Sequence, residues 1–208
     1  MIGVEVLALA CAAPIVVLIG VDKGCLAGTF GPVAVPLLAL VRPPLEAAGI
    51  LLPVLLAMDA YGLWAYRRSI DAARVRVLVP AGLVGVAAGA LFGGQLVTTS
   101  EAHVRLVLGV LALLFAATAP VAAWLRRTHD ASRPANPVVD PIAGAVCGAL
   151  AGFASFVAHA GGPPLQLYLL AQRGEWRARV ATSVVFFAAM NVAKRVPYTT
   201  LGLLDAKR

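Results

Sequence analysis

The chain has 208 residues, of which 61% are hydrophobic and only 13% charged, with a formal net charge of +7 and a mean hydropathy of +0.89. Soluble domains carry about 25% charged residues, so this composition excludes an ordinary soluble fold and places the chain in lipid. The positive balance does not indicate nucleic acid, because the basic residues gather in short connections between apolar runs, the distribution that sets orientation in a membrane.

Stretches without Asp, Glu, Lys or Arg extend over Val6–Val21, Gly24–Val41, Val77–Ser100, Leu106–Leu125 and Pro141–Gln172. Several reach the roughly 20 residues that a helix needs to cross a hydrocarbon core, and the last is long enough for more than one element. The alternation of a barrel strand is absent, so an all-α polytopic bundle of seven or eight transmembrane helices is expected. In chain order the helices are predicted at 4–21, 26–41, 45–66, 76–98, 103–126, 139–159, 162–172 and 177–200. The first carries Glu5 and no basic residue before its apolar run, which reads as a retained helix rather than a secretory signal. Pro43-Pro44 separates the second from the third, and an Arg-rich segment around Asp71 separates the third from the fourth. Arg67, Arg68, Arg74 and Arg76 are placed in one loop, Arg126, Arg127 and Arg133 in a second, and Arg173, Arg177 and Arg179 in a third. All three are expected on the cytoplasmic side of an inner membrane.

A Gly-spaced segment occurs twice. Gly20, Gly24 and Gly28 lead to Phe30-Gly31-Pro32, and Gly144, Gly148 and Gly152 lead to Gly161-Gly162-Pro163. Further on, Asp59 and Tyr66 are matched by Asn191 and Tyr198 at an offset of 132. Two repeats follow, residues 1–126 and 139–208, joined by a polar linker at 127–138. With the basic loops on one side, the predicted third helix ends at that side and its repeat partner, the eighth, begins there. The repeats are then inverted, provided the short segment Gly162–Gln172 crosses; a broken or re-entrant helix is the alternative. Carrying the offset forward puts the partners of the fourth and fifth helices past Arg208, so the second repeat is expected to be incomplete.

Glycines four apart are packing positions in membrane helices. The Gly-Pro turns differ, because each frees the backbone and starts a new helix at membrane depth, whose positive end suits an anion. Gly31, Gly161 and Gly162 are therefore candidate substrate contacts, with Thr29 beside the first turn and Ser155 and His159 beside the second. Gly152, Ser155 and His159 are spaced for one helical face. His159 either contacts an anion or carries a proton, or it bonds a neighbouring carbonyl. On the eighth helix Ser183, Phe187, Asn191, Lys194 and Tyr198 share a stripe; Asn191 is a candidate contact, and Lys194 either joins it or snorkels to the interface. Asp59 is the one carboxylate deep within a predicted span, a candidate for proton or ion coupling beside His159, or else a partner for a cation on another helix. Thr182 and Gln166 are lesser candidates. Cys11, Cys25 and Cys147 are scattered among apolar residues, which suits packing rather than a disulfide or metal site. No cofactor is expected, and no enzyme motif is present.

The run Gly152-Phe153-Ala154-Ser155-Phe156-Val157-Ala158-His159-Ala160-Gly161-Gly162-Pro163-Pro164, with Tyr168, Ala181-Thr182, Asn191, Lys194 and Tyr198, resembles the second-repeat signature of the TauE/SafE sulfite exporters. The first-repeat counterpart is Gly24 through Pro36, with Phe30-Gly31 where many members have paired glycines. The resemblance covers about residues 15 to 205 and implies export of sulfite or an organosulfonate across the inner membrane, driven by an ion or proton gradient. The expected function is thus a secondary transporter for a small sulfur-containing anion. The alternatives are a membrane accessory or assembly subunit, and a passive anion channel. Expected partners are the anion and the bilayer, with a second copy or another membrane protein covering the incomplete repeat.

Overall fold

The computed structural model describes residues 44–98, 140–172 and 175–200, together with Val17, Gly20 and single positions between 106 and 121. Among these residues there are five helices and no strand: α1 Pro44–Tyr66, α2 Ala72–Thr98, α3 Pro141–Ala158, α4 Gly162–Ala171 and α5 Trp176–Thr200. They correspond to the predicted third, fourth, sixth, seventh and eighth helices. The helices predicted at 4–21, 26–41 and 103–126 lie outside the described residues except for isolated positions, all helical. Ala72–Phe92 in α2 and Pro141–Ala158 in α3 are long and apolar enough to cross a membrane.

Proline and aspartate set the helix starts. Pro44, Pro141 and the pair Pro163-Pro164 occupy first turns, where the missing N–H has no helical acceptor to lose. Asp140 caps α3 by accepting from the Ile142 and Ala143 amides at 3.0 Å. Asp71 does the same for α2, accepting from Ala73 and Arg74 at 3.1 and 3.2 Å. That cap corrects the sequence reading: α2 begins at Ala72 rather than residue 76, so Arg74 and Arg76 sit in its first turns and not in a loop. Arg74 is buried there, with Nη1 donating to Asp71 Oδ2 at 2.6 Å. Arg177 and Arg179 likewise lie within α5.

α2 and α3 pack side by side and parallel, along matching glycine rows. A Cβ on Gly144 would meet Val77 at 2.8 Å, one on Gly148 the Leu78 carbonyl at 2.9 Å, and one on Gly152 the backbone of Gly82. From the other side, a Cβ on Gly85 would strike the Ala149 carbonyl, and one on Gly89 would come within 2.9 Å of Phe156. The packing role expected for Gly144 and Gly148 holds and extends to Gly152. α5 closes on α2 through Phe186 and Met190 against Gly82.

α3 and α4 form a hairpin. A Cβ on Gly161 would touch the Ala151 carbonyl, whereas Tyr168 lies beside Gly144, so α4 runs back toward the start of α3. Its 10 residues span about 15 Å at 1.5 Å per residue, about half the depth of a bilayer core. The chain nevertheless returns to the end from which α3 began, so α5 starts where α1 stops. The contacts Asp59 to Asn191 and Gly62 to Val184, with Leu63 and Tyr66 packed against the cluster of Val180 and Val184, run in opposite senses along α1 and α5, which are antiparallel. The Arg67–Arg76 segment, Asp140 and the start of α5 thus lie at one end of the bundle.

Candidate functional site

The break between α3 and α4 is built on a left-handed residue. His159 has φ 51°, the one positive φ at a non-glycine among the described residues. Its amide donates to the Ser155 carbonyl at 3.1 Å, and the Ala160 amide reaches the Ala154 carbonyl at 3.1 Å. The first of these is the single 5→1 bond of a left-handed helix closure, in which glycine usually holds the left-handed position. Histidine is among the side chains that tolerate it. The closure takes His159 off the α3 face predicted for it. Gly152 faces α2, while Ser155 and His159 face α5.

Lys194 fills the space that they leave. It is 0% exposed, and its Nζ donates to the Ser155 carbonyl at 3.0 Å and Ser155 Oγ at 3.1 Å, with His159 Nδ1 at 2.8 Å. An ammonium has three N–H donors and no acceptor, and three acceptors surround this one. The snorkelling alternative for Lys194 is overturned. One helical turn earlier, Asn191 Nδ2 donates to Asp59 Oδ2 at 2.5 Å, across 132 positions of sequence; both residues are 2% exposed. The partner of Asp59 in this contact is an amide, not the cation considered from sequence.

Tyr198 completes the wall. Its hydroxyl donates to the Phe156 carbonyl at 2.6 Å, a last-turn carbonyl that the helix's own ladder does not reach. Its ring meets Phe156 edge-on at 5.2 Å between centroids and lies 6.2 Å from the His159 ring. Replacing Tyr198 by Phe leaves that carbonyl without its donor and is expected to cost about 1–3 kcal/mol, read as a lower thermal midpoint of the purified protein in detergent.

The start of α4 adjoins the same cluster, since a Cβ on Gly161 would also lie 3.0 Å from Ser155 Cβ. No side chain caps this helix. Pro163 and Pro164 supply no N–H, so the open amides of the first turn reduce to those of the glycines. The positive charge at the break comes mainly from Lys194, not from the helix end. Thr29 and Gly31 lie outside the described residues, as do Cys11 and Cys25. Thr182 donates to the Ala178 carbonyl at 2.8 Å, and Gln166 Nε2 to Ser183 Oγ at 3.4 Å, both inside the bundle. No cluster of metal-ligand type occurs among the described residues.

The structure thus brings Ser155, His159, Gly161 and Lys194 together, with Asp59 and Asn191 one turn away. Sequence reasoning did not anticipate the Lys194 to His159 contact, or Tyr198 as the donor to Phe156. Tyr168 is part of the signature read from sequence, but the place of its hydroxyl, buried beside Gly144 with no hydrogen-bond partner among the described residues, was not anticipated. The α2 row Gly82, Gly85 and Gly89 was readable from its spacing of three and four.

No curated protein and no solved structure matches the chain. The family described as sulfite exporter TauE/SafE matches residues 12–207, nearly the whole sequence, and the segments that form the break and the Lys194 stripe fall inside the match. The chain belongs to the TauE/SafE sulfite exporter family.

Proposed function

We propose that the protein is a secondary transporter that exports a small sulfur-containing anion, sulfite or an organosulfonate, across the inner membrane. The observation that carries this reading is the fully buried Lys194 ammonium, held by Ser155 and His159 at the break between α3 and α4. Ionisable groups inside membrane bundles are costly and mark substrate or ion pathways, and a cation beside a broken helix suits an anion. Ser155, His159, Asn191, Lys194 and the amides of Gly161 and Gly162 line the anion's place, with Thr29 and Gly31 as counterparts in the first repeat. Asp59 and His159 carry the coupling proton or ion.

The alternating path follows from two inverted repeats, residues 1–126 and 139–208, joined by a linker at 127–138. Supporting this are the antiparallel course of α1 and α5 and the direct bond between Asp59 and Asn191, which are equivalent positions under the repeat offset. Equivalent residues of two repeats meet where a twofold axis passes between them, and for inverted repeats that axis lies across the helices, in the membrane plane. The basic end of the bundle faces the cytoplasm.

The test is flux in liposomes across a panel of sulfite and small sulfonates, comparing wild type with Asn191→Ala and His159→Ala. Each variant is expected to lose about tenfold or more in flux while remaining folded, the equivalent of one hydrogen bond to a charged group. Absence of movement of every anion under any imposed gradient would sink the transporter reading. Co-purification of a stoichiometric membrane partner, with no transport by the chain alone, would favour an accessory subunit.

A further inference from the structure

The outer side of α1 carries a groove of about 580 Å³. Its floor is one face of the helix, with Ala57, Tyr61 and Ala65 in one row and Met58, Gly62 and Tyr66 in the next, at the spacing of four that aligns side chains. Val184 of α5 forms one wall, since a Cβ on Gly62 would lie 2.9 Å from it, and the helical Gly20 forms the other, where a Cβ would lie 3.6 Å from Met58. Ala57, Tyr61 and Ala65 are exposed, so the groove opens outward. At one end it meets the basic end of the bundle. Trp64 follows Tyr61 by three residues and Arg67 follows Trp64 by three, with Arg68 next, all exposed. Arg67 is held in place: its guanidinium lies 5.5 Å from the centre of the Trp64 ring, an attractive contact for a cation. Its Nη1 also donates to the Trp64 carbonyl at 2.9 Å, a last-turn acceptor that the helix ladder leaves open. That uses one of five N–H donors. Neither Arg67 nor Arg68 meets a carboxylate among the described residues; Asp71, the next acid along the chain, is committed to the α2 cap and to Arg74.

We infer that this groove is a site for one anionic phospholipid, with an acyl chain along the α1 face between Gly20 and Val184 and the phosphate held by Arg67 and Arg68 beside Trp64. The guanidinium fork matches phosphate oxygens in pairs. Tyr61 and Trp64, 6.0 Å apart between ring centroids, flank the point where chain meets headgroup, the level at which amphipathic rings gather in membrane proteins. Charge is what selects the lipid. The apolar floor would take the chain of any phospholipid, whereas two arginines without an acidic neighbour favour a headgroup of net negative charge. The site lies on the outside of α1, apart from the Lys194 cluster, and does not depend on the anion's path.

Phosphatidylglycerol and phosphatidylcholine with identical acyl chains test this, because only the first carries a net negative charge. Each is titrated into delipidated full-length protein in detergent; apparent affinity is read from the rise in thermal midpoint with lipid concentration, and bound lipid is counted by native mass spectrometry. An arginine beside an anionic headgroup is worth about fivefold in affinity, so two should make phosphatidylglycerol about 25-fold the tighter ligand. Arg67→Gln combined with Arg68→Gln should bring it down to the phosphatidylcholine level, while the lipid-free variant melts close to wild type. Ala57→Phe, at an exposed position in the groove, keeps both arginines and should weaken both lipids alike. Inorganic phosphate, which brings the charge without the chain, should leave the midpoint unchanged. Equal affinity for the two lipids in wild type, a phosphatidylglycerol preference that survives the double arginine substitution, or lipid affinities untouched by Ala57→Phe would each overturn the site. Stabilisation by inorganic phosphate to the same extent would also overturn it, as would a dimer in delipidated detergent that neither lipid alters, which would give the groove to a second copy of the chain.

Discussion

Lys194→Met is expected to abolish anion flux, by about 100-fold or more, while leaving the protein folded. A unit charge acting on an anion at about 4 Å is worth about 4 kcal/mol at an effective dielectric near 20, and methionine keeps the length and apolar volume of the lysine stem. Stability responds to opposing terms. Removing a buried charge relieves its desolvation, which is often neutral or favourable when an apolar residue of similar size replaces it. Against this, Ser155 Oγ and His159 Nδ1 lose a donor, whereas the Ser155 carbonyl still receives the His159 amide. The thermal midpoint should therefore shift little. Lys194→Arg supplies the control, since it keeps the charge but presents a planar fork to three acceptors arranged for an ammonium, so flux should be reduced and not abolished. Flux measured in proteoliposomes, beside melting in detergent, checks both; wild-type flux from Lys194→Met would remove the lysine from the anion's path.

The helices were legible because the punctuation is local. Pro44, Pro141 and Gly161 through Pro164 mark starts and breaks that depend on the residues themselves, and the predicted ends fall close to the observed ones. The start of α2 was missed because Asp71 was read as part of an arginine-rich loop, when its carboxylate is a cap that admits Arg74 into the first turn. The stripe Ser183, Phe187, Asn191, Lys194 and Tyr198 was legible from spacing, and all five are buried. What filled the space opposite it was not. Lys194 looks the same in sequence whether it reaches an interface or a serine and histidine 39 and 35 residues earlier. His159 was assigned a helical face because periodicity continues through it on paper, whereas the left-handed turn at that residue is a property of the closure. The bond between Asp59 and Asn191 lies between these cases. The repeat offset pairs the two residues as expected equivalents, but only the antiparallel packing of α1 and α5 makes them neighbours.

The second large effect is expected at the glycine seam. Gly152→Val should prevent stable folding, because even a Cβ at this position would overlap the Gly82 carbonyl oxygen and lie 2.7 and 2.8 Å from the Gly82 carbonyl carbon and Cα. The obstruction is backbone, so no rotamer change relieves it and α2 must move away from α3. That movement is opposed, since α2 is pressed on its other side by Phe186 and Met190 at the same Gly82. Overpacking of an ordinary core costs about 1–3 kcal/mol; with no yielding side chain, about 3 kcal/mol or more is expected, a large share of a total stability of about 5–15 kcal/mol. Gly109→Val is the matched control, because nothing lies within 4 Å of a Cβ there, and it should express and melt like wild type. Yield of monodisperse protein and thermal midpoint in detergent distinguish the two; equal behaviour of both variants would refute the close approach of α2 and α3. The seam also positions the site. Ser155 follows Gly152 by one turn, so displacing α3 moves two of the three acceptors of Lys194. Gly152→Val should therefore lose flux and stability together, whereas Lys194→Met loses flux alone, and that contrast separates the scaffold of the proposed anion site from its charge.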